Sequence, residues 1–408
     1  MACSSSLQRR TRVLFARTCV LFAAALAAWP LASAAQSRDF DVRVTPFNQI
    51  FPALDLSQGL RPGGVLRGDG GATVIGEGSG LVAIRLVAAH ADEQVRIDIS
   101  AAPWLAASTR FDATLARAGT EYELRPAFAW SAHELAALAQ RTHIELDVRV
   151  QRDGRSMPTR RVAVDLRPLN EALYYVRDGR DSVDLAWIFA AFVNERDAVI
   201  DEVLDGALQS GIVDKFTGYG ESDSDLVLRQ AWAIWHALGT HGIRYSGADP
   251  GVDRGPRVYS QHVRFLAETW ADRSANCIDG SALLASALQR IGLRSFLVLV
   301  PGHAFVGFYT DAGAKHAAYL ETTLLGRELP PLREQPLYAD GDMPASAKAN
   351  LASFDAALRA GAARHARVAS KLDGHHQPDY VVIDIATARE LGIRPIAVKA
   401  ADALATDR

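Results

Sequence analysis

The rhythm of apolar and polar positions changes once along the chain, near Asp181. Before it, short stretches alternate strictly. Val95-Arg96-Ile97-Asp98-Ile99, Ile144-Glu145-Leu146-Asp147-Val148-Arg149-Val150 and Val162-Ala163-Val164-Asp165-Leu166 each put one apolar set on one face of a strand. Asp153-Gly154, between the last two, is a hairpin-type turn pair. Strands of this length separated by turn residues predict a β-sandwich-like domain over residues 35–170. One short helix, Ser131 to about Arg141, interrupts it, with Ser131 as N-cap and Glu134 completing a capping box.

Beyond Asp181 the period becomes helical. Leu228, Trp232, Trp235 and Leu238 fall on one face of a helix, which Ser224 or Asp225 would cap and Gly239 or Gly242 would end. The tryptophans read as core. Cys277 to Ile291 predicts a second helix, with Leu284, Leu288 and Ile291 on one face, Asn276 or Ser274 as N-cap and Gly292 just past its end. An apolar strand, Phe296 to Val300, closes at Pro301-Gly302. His303 opens a strand running on through Tyr309, and Tyr319 to Leu324 reads as a third. An Ala-rich helix from about Ser346 to Lys371, a strand Tyr380–Ile385 and a short helix through Leu391, stopped by Gly392, complete the pattern. The fold class expected is therefore α+β. A helix on an antiparallel sheet forms the centre of a second domain, residues 171–408, which includes the C-terminal helical and strand extension.

The beginning of the chain carries a different signal. Arg9, Arg10, Arg12 and Arg17 precede the apolar run Val20–Ala28, and Ala32-Ser33-Ala34 supplies small residues suited to signal-peptidase cleavage. Residues 1–34 are read as a secretory signal peptide, giving a periplasmic or secreted location. No later stretch approaches the ~18 apolar residues of a membrane span, so no integral membrane segment is expected after signal removal.

Composition then narrows the chemistry. The 408 residues carry a formal net charge of -3 with the signs intermixed, so nothing suggests a nucleic-acid partner. Of three cysteines, Cys3 and Cys19 would leave with the signal. Cys277 would stay behind without a disulfide partner, in a compartment where a lone thiol is a liability unless buried or chemically employed. His236 and His241 do not share a helical face, and His375-His376 sits between Gly and Pro as a turn would; neither pair suits a metal. No phosphate-binding or nucleotide fingerprint is present, so no metal and no cofactor are expected.

The neighbours of Cys277 point to nucleophilic chemistry. At a helix N-terminus, unpaired N–H groups and the positive end of the dipole favour a thiolate, and can supply part of an oxyanion hole. If the following strands pair in order, Glu321 comes beside His303. A carboxylate on one ring nitrogen then fixes the tautomer and leaves the other nitrogen for Cys277. Asp279 is a supporting first-turn charge, Asn276 and Gln261 are candidate substrate or oxyanion contacts, and Thr322 is an alternative orienter of the imidazole.

Cys277-Ile278-Asp279, the helix through Gly292, Val300-Pro301-Gly302-His303-Ala304-Phe305-Val306-Gly307 and Tyr319-Leu320-Glu321-Thr322-Thr323 resemble the core of the transglutaminase-like superfamily. Gln261-His262-Val263-Arg264 is similar to a Gln-x-Val-Arg segment that precedes the Cys motif in bacterial members. The resemblance implies a papain-like fold with a Cys-His-Asp triad, here with Glu321 as the third member. It implies acyl transfer at an amide, with a protein or peptide of the envelope as substrate. Hydrolysis is the first expectation. Amine transfer to glutamine, and a non-catalytic binding or scaffold protein that kept the fold, are the alternatives.

Overall fold

The computed structural model describes residues 39–396 apart from 59–65, 68–71, 77–79, 180, 221–222, 248–251, 342 and 344; the segment read as a signal peptide lies outside the described residues. The chain is α+β and forms two compact units. One is the described part of Arg17–Leu185 with Asp253–Ser260; the other is Ala186–Val252 with Gln261–Pro395. Among the described residues, no helix is long and apolar enough to cross a membrane.

The first unit contains a five-stranded sheet, in the order 41–44, 82–87, 121–125, 73–76, 66–67, and a six-stranded one. The six-stranded sheet holds the alternating stretches. Glu93–Ser100, Thr142–Arg152 and Arg160–Leu166 bury Val95, Ile97, Ile99, Leu146, Val148, Val150, Val164 and Leu166 and expose most of the residues between. Asp153 and Gly154 both have positive φ, 46° and 78°, as the tight turn requires. The helix near Ser131 is shorter than its pattern suggested. It spans Ala132–Ala137, and Ser131 makes no side-chain cap bond, so the expected capping box does not form. The unit also runs past residue 170, because Glu171–Asp178 and Asp181–Asp184 pair as strands.

In the second unit, α1 (Ala198–Gln209) and α2 (Ser224–His241) are followed by α3 (Leu266–Asp272) and α4 (Cys277–Arg290). Helix α2 is capped by Asp223, one residue before the expected positions, and ends at Gly242 in the left-handed region. Trp232 and Trp235 are fully buried. Strands β1 (Ser295–Val300), β2 (His303–Tyr309), β3 (Ala317–Leu320) and β4 (Val381–Asp384) form one antiparallel sheet in the order β3-β2-β1-β4. Helix α4 lies against β1 and β2 and is buried from Ile278 to Leu288, so it is the central helix of the unit. Helix α5 (Leu351–Val368) runs beside β3, and α6 (Ile385–Glu390) follows β4 directly.

Two glycines set close approaches here. A Cβ on Gly307 would lie 2.3 Å from the Phe296 ring. A Cβ on Gly361, in α5, would lie 2.4 Å from the Tyr319 carbonyl oxygen of β3. Since real Cβ atoms do not approach backbone so closely, glycine at 361 is what lets helix and strand meet.

Candidate active site

Helix α4 starts at Cys277 because both flanks of the cysteine are tied down. Asn276 Oδ1 accepts from the N–H groups of Ile278 (2.9 Å) and Asp279 (3.0 Å), and the Asn276 N–H donates back to Asp279 Oδ2 (3.1 Å). This is a reciprocal capping box. Asp279 Oδ1 also accepts from the Arg264 N–H (3.0 Å), and the Arg264 guanidinium donates to the Ser274 carbonyl (3.0 Å). The Gln-x-Val-Arg segment thus braces the turn that delivers Cys277. Asp279 is wholly buried, and burial pushes its carboxyl up despite these two backbone donors.

Cys277 is half-buried and unpaired. Its carbonyl accepts from Ser281 Oγ (2.6 Å) and Thr322 Oγ1 (3.2 Å), which fixes the first turn against the residues after β3.

His303 and Glu321 are delivered by strand register. Val300 pairs with His303, and Leu320 with Val306, so Glu321 follows the last paired residue of β3 and lies diagonal to His303. The strand stops at Leu320 and does not continue to Leu324 as its sequence suggested; Thr322–Leu324 is a 3-10 turn with Glu321 as its N-cap. His303 Nε2 lies 2.9 and 3.0 Å from the two oxygens of Glu321. The Cys277 side chain is near enough to the imidazole to raise its pKa. With Nε2 on the carboxylate, Nδ1 is the nitrogen left for sulfur.

The surroundings favour a protonated imidazole beside an ionised carboxylate. Burial favours the neutral imidazole, but the hydrogen bonds to Cys277 and Glu321 and the Glu321 charge outweigh it, and the His303 pKa is raised to about 9. Burial likewise works to raise Glu321, yet His303 and the Arg364 cation hold it below the usual carboxylate range. Glu321 is 3% exposed, and both its oxygens have further donors. Thr323 Oγ1 donates to Oε1 (3.0 Å) and Arg364 Nε to Oε2 (2.7 Å).

The remaining sequence candidates fall elsewhere. Asn276 is engaged in the helix cap, and the Gln261 amide donates to the neighbouring His262 carbonyl (3.3 Å). Thr322 contacts the Cys277 backbone, whereas Thr323 reaches the orienting carboxylate. Arg364 and Tyr245 escaped the sequence reading. Tyr245, paired with Ala275 in a short parallel bridge, has its hydroxyl pKa raised by burial and then by the nearby Cys277 and Glu321 charges. The one sign of Arg364 was Gly361, a glycine three residues earlier in an Ala-rich helix. His236 binds Thr240 and His241 stacks on Trp270. Among the described residues, no group of three or more His, Cys, Asp or Glu is placed to hold a metal ion.

No known family model matches this sequence, and no curated protein matches it.

Proposed function

We propose that the protein is a cysteine-dependent acyl-transfer enzyme, exported to the periplasm or beyond, that hydrolyses peptide or amide bonds of envelope proteins or peptides. The observation that carries this reading is the His303 ring, held through Nε2 by both oxygens of Glu321 and close enough to the Cys277 side chain to be shifted by it. On this reading the second unit is a transglutaminase-like core of the papain type, and the β-rich unit a sandwich-like spacer, docking or carbohydrate/protein-binding module.

The chemistry follows from the geometry. Cys277 gives its proton to His303 Nδ1, and the thiolate adds to the substrate carbonyl carbon. The tetrahedral oxyanion needs donors. The N–H groups of Asn276, Ile278 and Asp279 are engaged within the cap, so the N–H of Cys277 itself is the first-turn donor for that role. The imidazolium then protonates the leaving amine, the C–N bond breaks, and a thioester remains on Cys277. Water, losing a proton to His303, attacks the thioester and releases the carboxylic acid and the thiol. Glu321 keeps its proton count throughout; it orients the ring and stabilises the imidazolium.

The test is turnover of quenched-fluorescent peptide pools by the wild-type protein and by Cys277→Ala, with a fluorescent primary amine supplied in parallel. Hydrolysis that disappears in the variant supports the proposal. Cys277-dependent incorporation of the amine in place of hydrolysis redirects it to transglutamination. No turnover, with a thiol that reacts only on unfolding, favours a binding protein.

A further inference from the structure

A thiol–imidazole pair needs a hydrogen-bond acceptor behind the ring, but it does not need a cation behind that acceptor. Here the Arg364 guanidinium donates to Glu321 Oε2 at 2.7 Å, while the same carboxylate accepts from His303. The placement is built by the fold. The Glu321 N–H donates to the Ala357 carbonyl (3.1 Å), Gly361 allows α5 to touch the Tyr319 backbone, and Arg364 lies one turn beyond Gly361. The guanidinium is a third exposed and the carboxylate nearly fully buried.

We propose that Arg364 is a positioning residue that sets the charge balance of the site, holding Glu321 in place while drawing off part of the field that Glu321 exerts on His303. The inference rests on the acyl-transfer reading, in which His303 must both keep a proton beside a thiolate and surrender it to a leaving amine. A buried carboxylate alone would bind the imidazolium proton too firmly for the second task. Sharing the carboxylate with a guanidinium weakens that hold without losing orientation. The extra reach of glutamate provides for this, since each oxygen has its own second donor, Thr323 on one and Arg364 on the other.

The charged and titratable groups around His303 can be named. Cys277 comes from α4, Glu321 from the end of β3, and Arg364 from α5 through Glu321. Tyr245 couples to Cys277 and Glu321 from the parallel bridge. Of these, only Arg364 carries a permanent positive charge. Removing it should therefore strengthen the imidazolium, whereas a carboxylate merely set adrift would weaken it. The two roles predict opposite shifts.

The experiment uses the whole protein and iodoacetate, whose anionic carboxylate makes alkylation of Cys277 sensitive to the imidazolium. Its rate should rise and then fall with pH, the alkaline limb reporting loss of the His303 proton. In Arg364→Gln, or in Arg364→Met should Gln fold poorly, the limb should move up by about half to one pH unit. Arg364→Lys should return it to near the wild-type position. A limb present in wild type but unmoved or lowered in the neutral variants overturns the Arg364 inference alone. A wild-type rate that climbs as for an ordinary thiol, with no limb, overturns the thiolate–imidazolium pairing as well.

Discussion

His303 Nε2 is shared almost equally between the two oxygens of Glu321, at 2.9 and 3.0 Å. Such a fork fixes the plane of the ring as well as its tautomer, which a single bond would not. In Glu321→Gln, one oxygen becomes an amide NH2 that can face the imidazole N–H donor to donor, and the charge on the imidazole's partner is lost. The alkaline limb of turnover should fall below about 9, and the rate should drop less than in His303→Ala. An unchanged limb would give the orienting role to another group.

On the proposed mechanism, His303→Ala removes the acid and base from both halves of the reaction. General acid–base catalysis supplies roughly 100- to 10,000-fold, so kcat should fall within that range. The residue opens a strand next to the Pro301-Gly302 turn and does not sit in its middle, so the variant should still fold. Turnover beside thermal melting checks both statements.

The same residue makes stability depend on pH. Its folded value is raised to about 9 from 6.5, so the native state holds the proton more tightly than the unfolded chain. The resulting stabilisation is fully present below pH 6.5 and is lost as pH rises through about 9. Melting temperatures across that interval should decline more steeply for wild type than for His303→Ala.

Asp279 has a structural task. Asp279→Ala takes the acceptor from two backbone N–H groups, those of Arg264 and Asn276, and unmade buried bonds cost about 1–3 kcal/mol each. A clear fall in melting temperature is expected, together with lower Cys277 reactivity as the first turn loosens. Wild-type stability would show that water replaces the carboxylate at no cost.

Gly361→Ala tests the contact that brings α5 to the site. The added methyl meets Tyr319 backbone atoms at 2.4 and 2.6 Å, and backbone cannot yield as a side chain can. The helix must back away, at about 1–3 kcal/mol, and should carry Arg364 off Glu321. Reduced stability accompanied by the limb shift of Arg364→Gln is the expected result.

What the sequence made legible here was local. The Asn276 cap, the start of α4 at Cys277, the Gly292 stop and the opening of β2 at His303 each follow from a few adjacent residues. So do the alternating strands of the first unit. Thr322 and Thr323, good strand formers, suggested a longer β3; Glu321 caps a 3-10 turn there because its carboxylate is drawn to His303 and Arg364. Arg364 could not be found by periodicity. It stands 43 positions after Glu321, on a helix whose alanines mark no face, and only the fold brings it back. The strand Glu171–Asp178 is hidden from periodicity for a related reason. Apolar Ala172 to Val176 is buried continuously, so the alternation that betrays a half-exposed strand is missing.

The central claim is that Cys277 and His303 act as one unit. Its most direct test follows alkylation of Cys277 in the folded protein with neutral iodoacetamide from pH 5 to pH 10, located by mass spectrometry, in wild type and His303→Ala. The proposed pairing predicts alkylation near neutral pH that is faster in wild type than in His303→Ala, with a pH profile that changes when the imidazole is removed. Identical profiles in the two proteins, or a thiol that reacts only after unfolding, would contradict it.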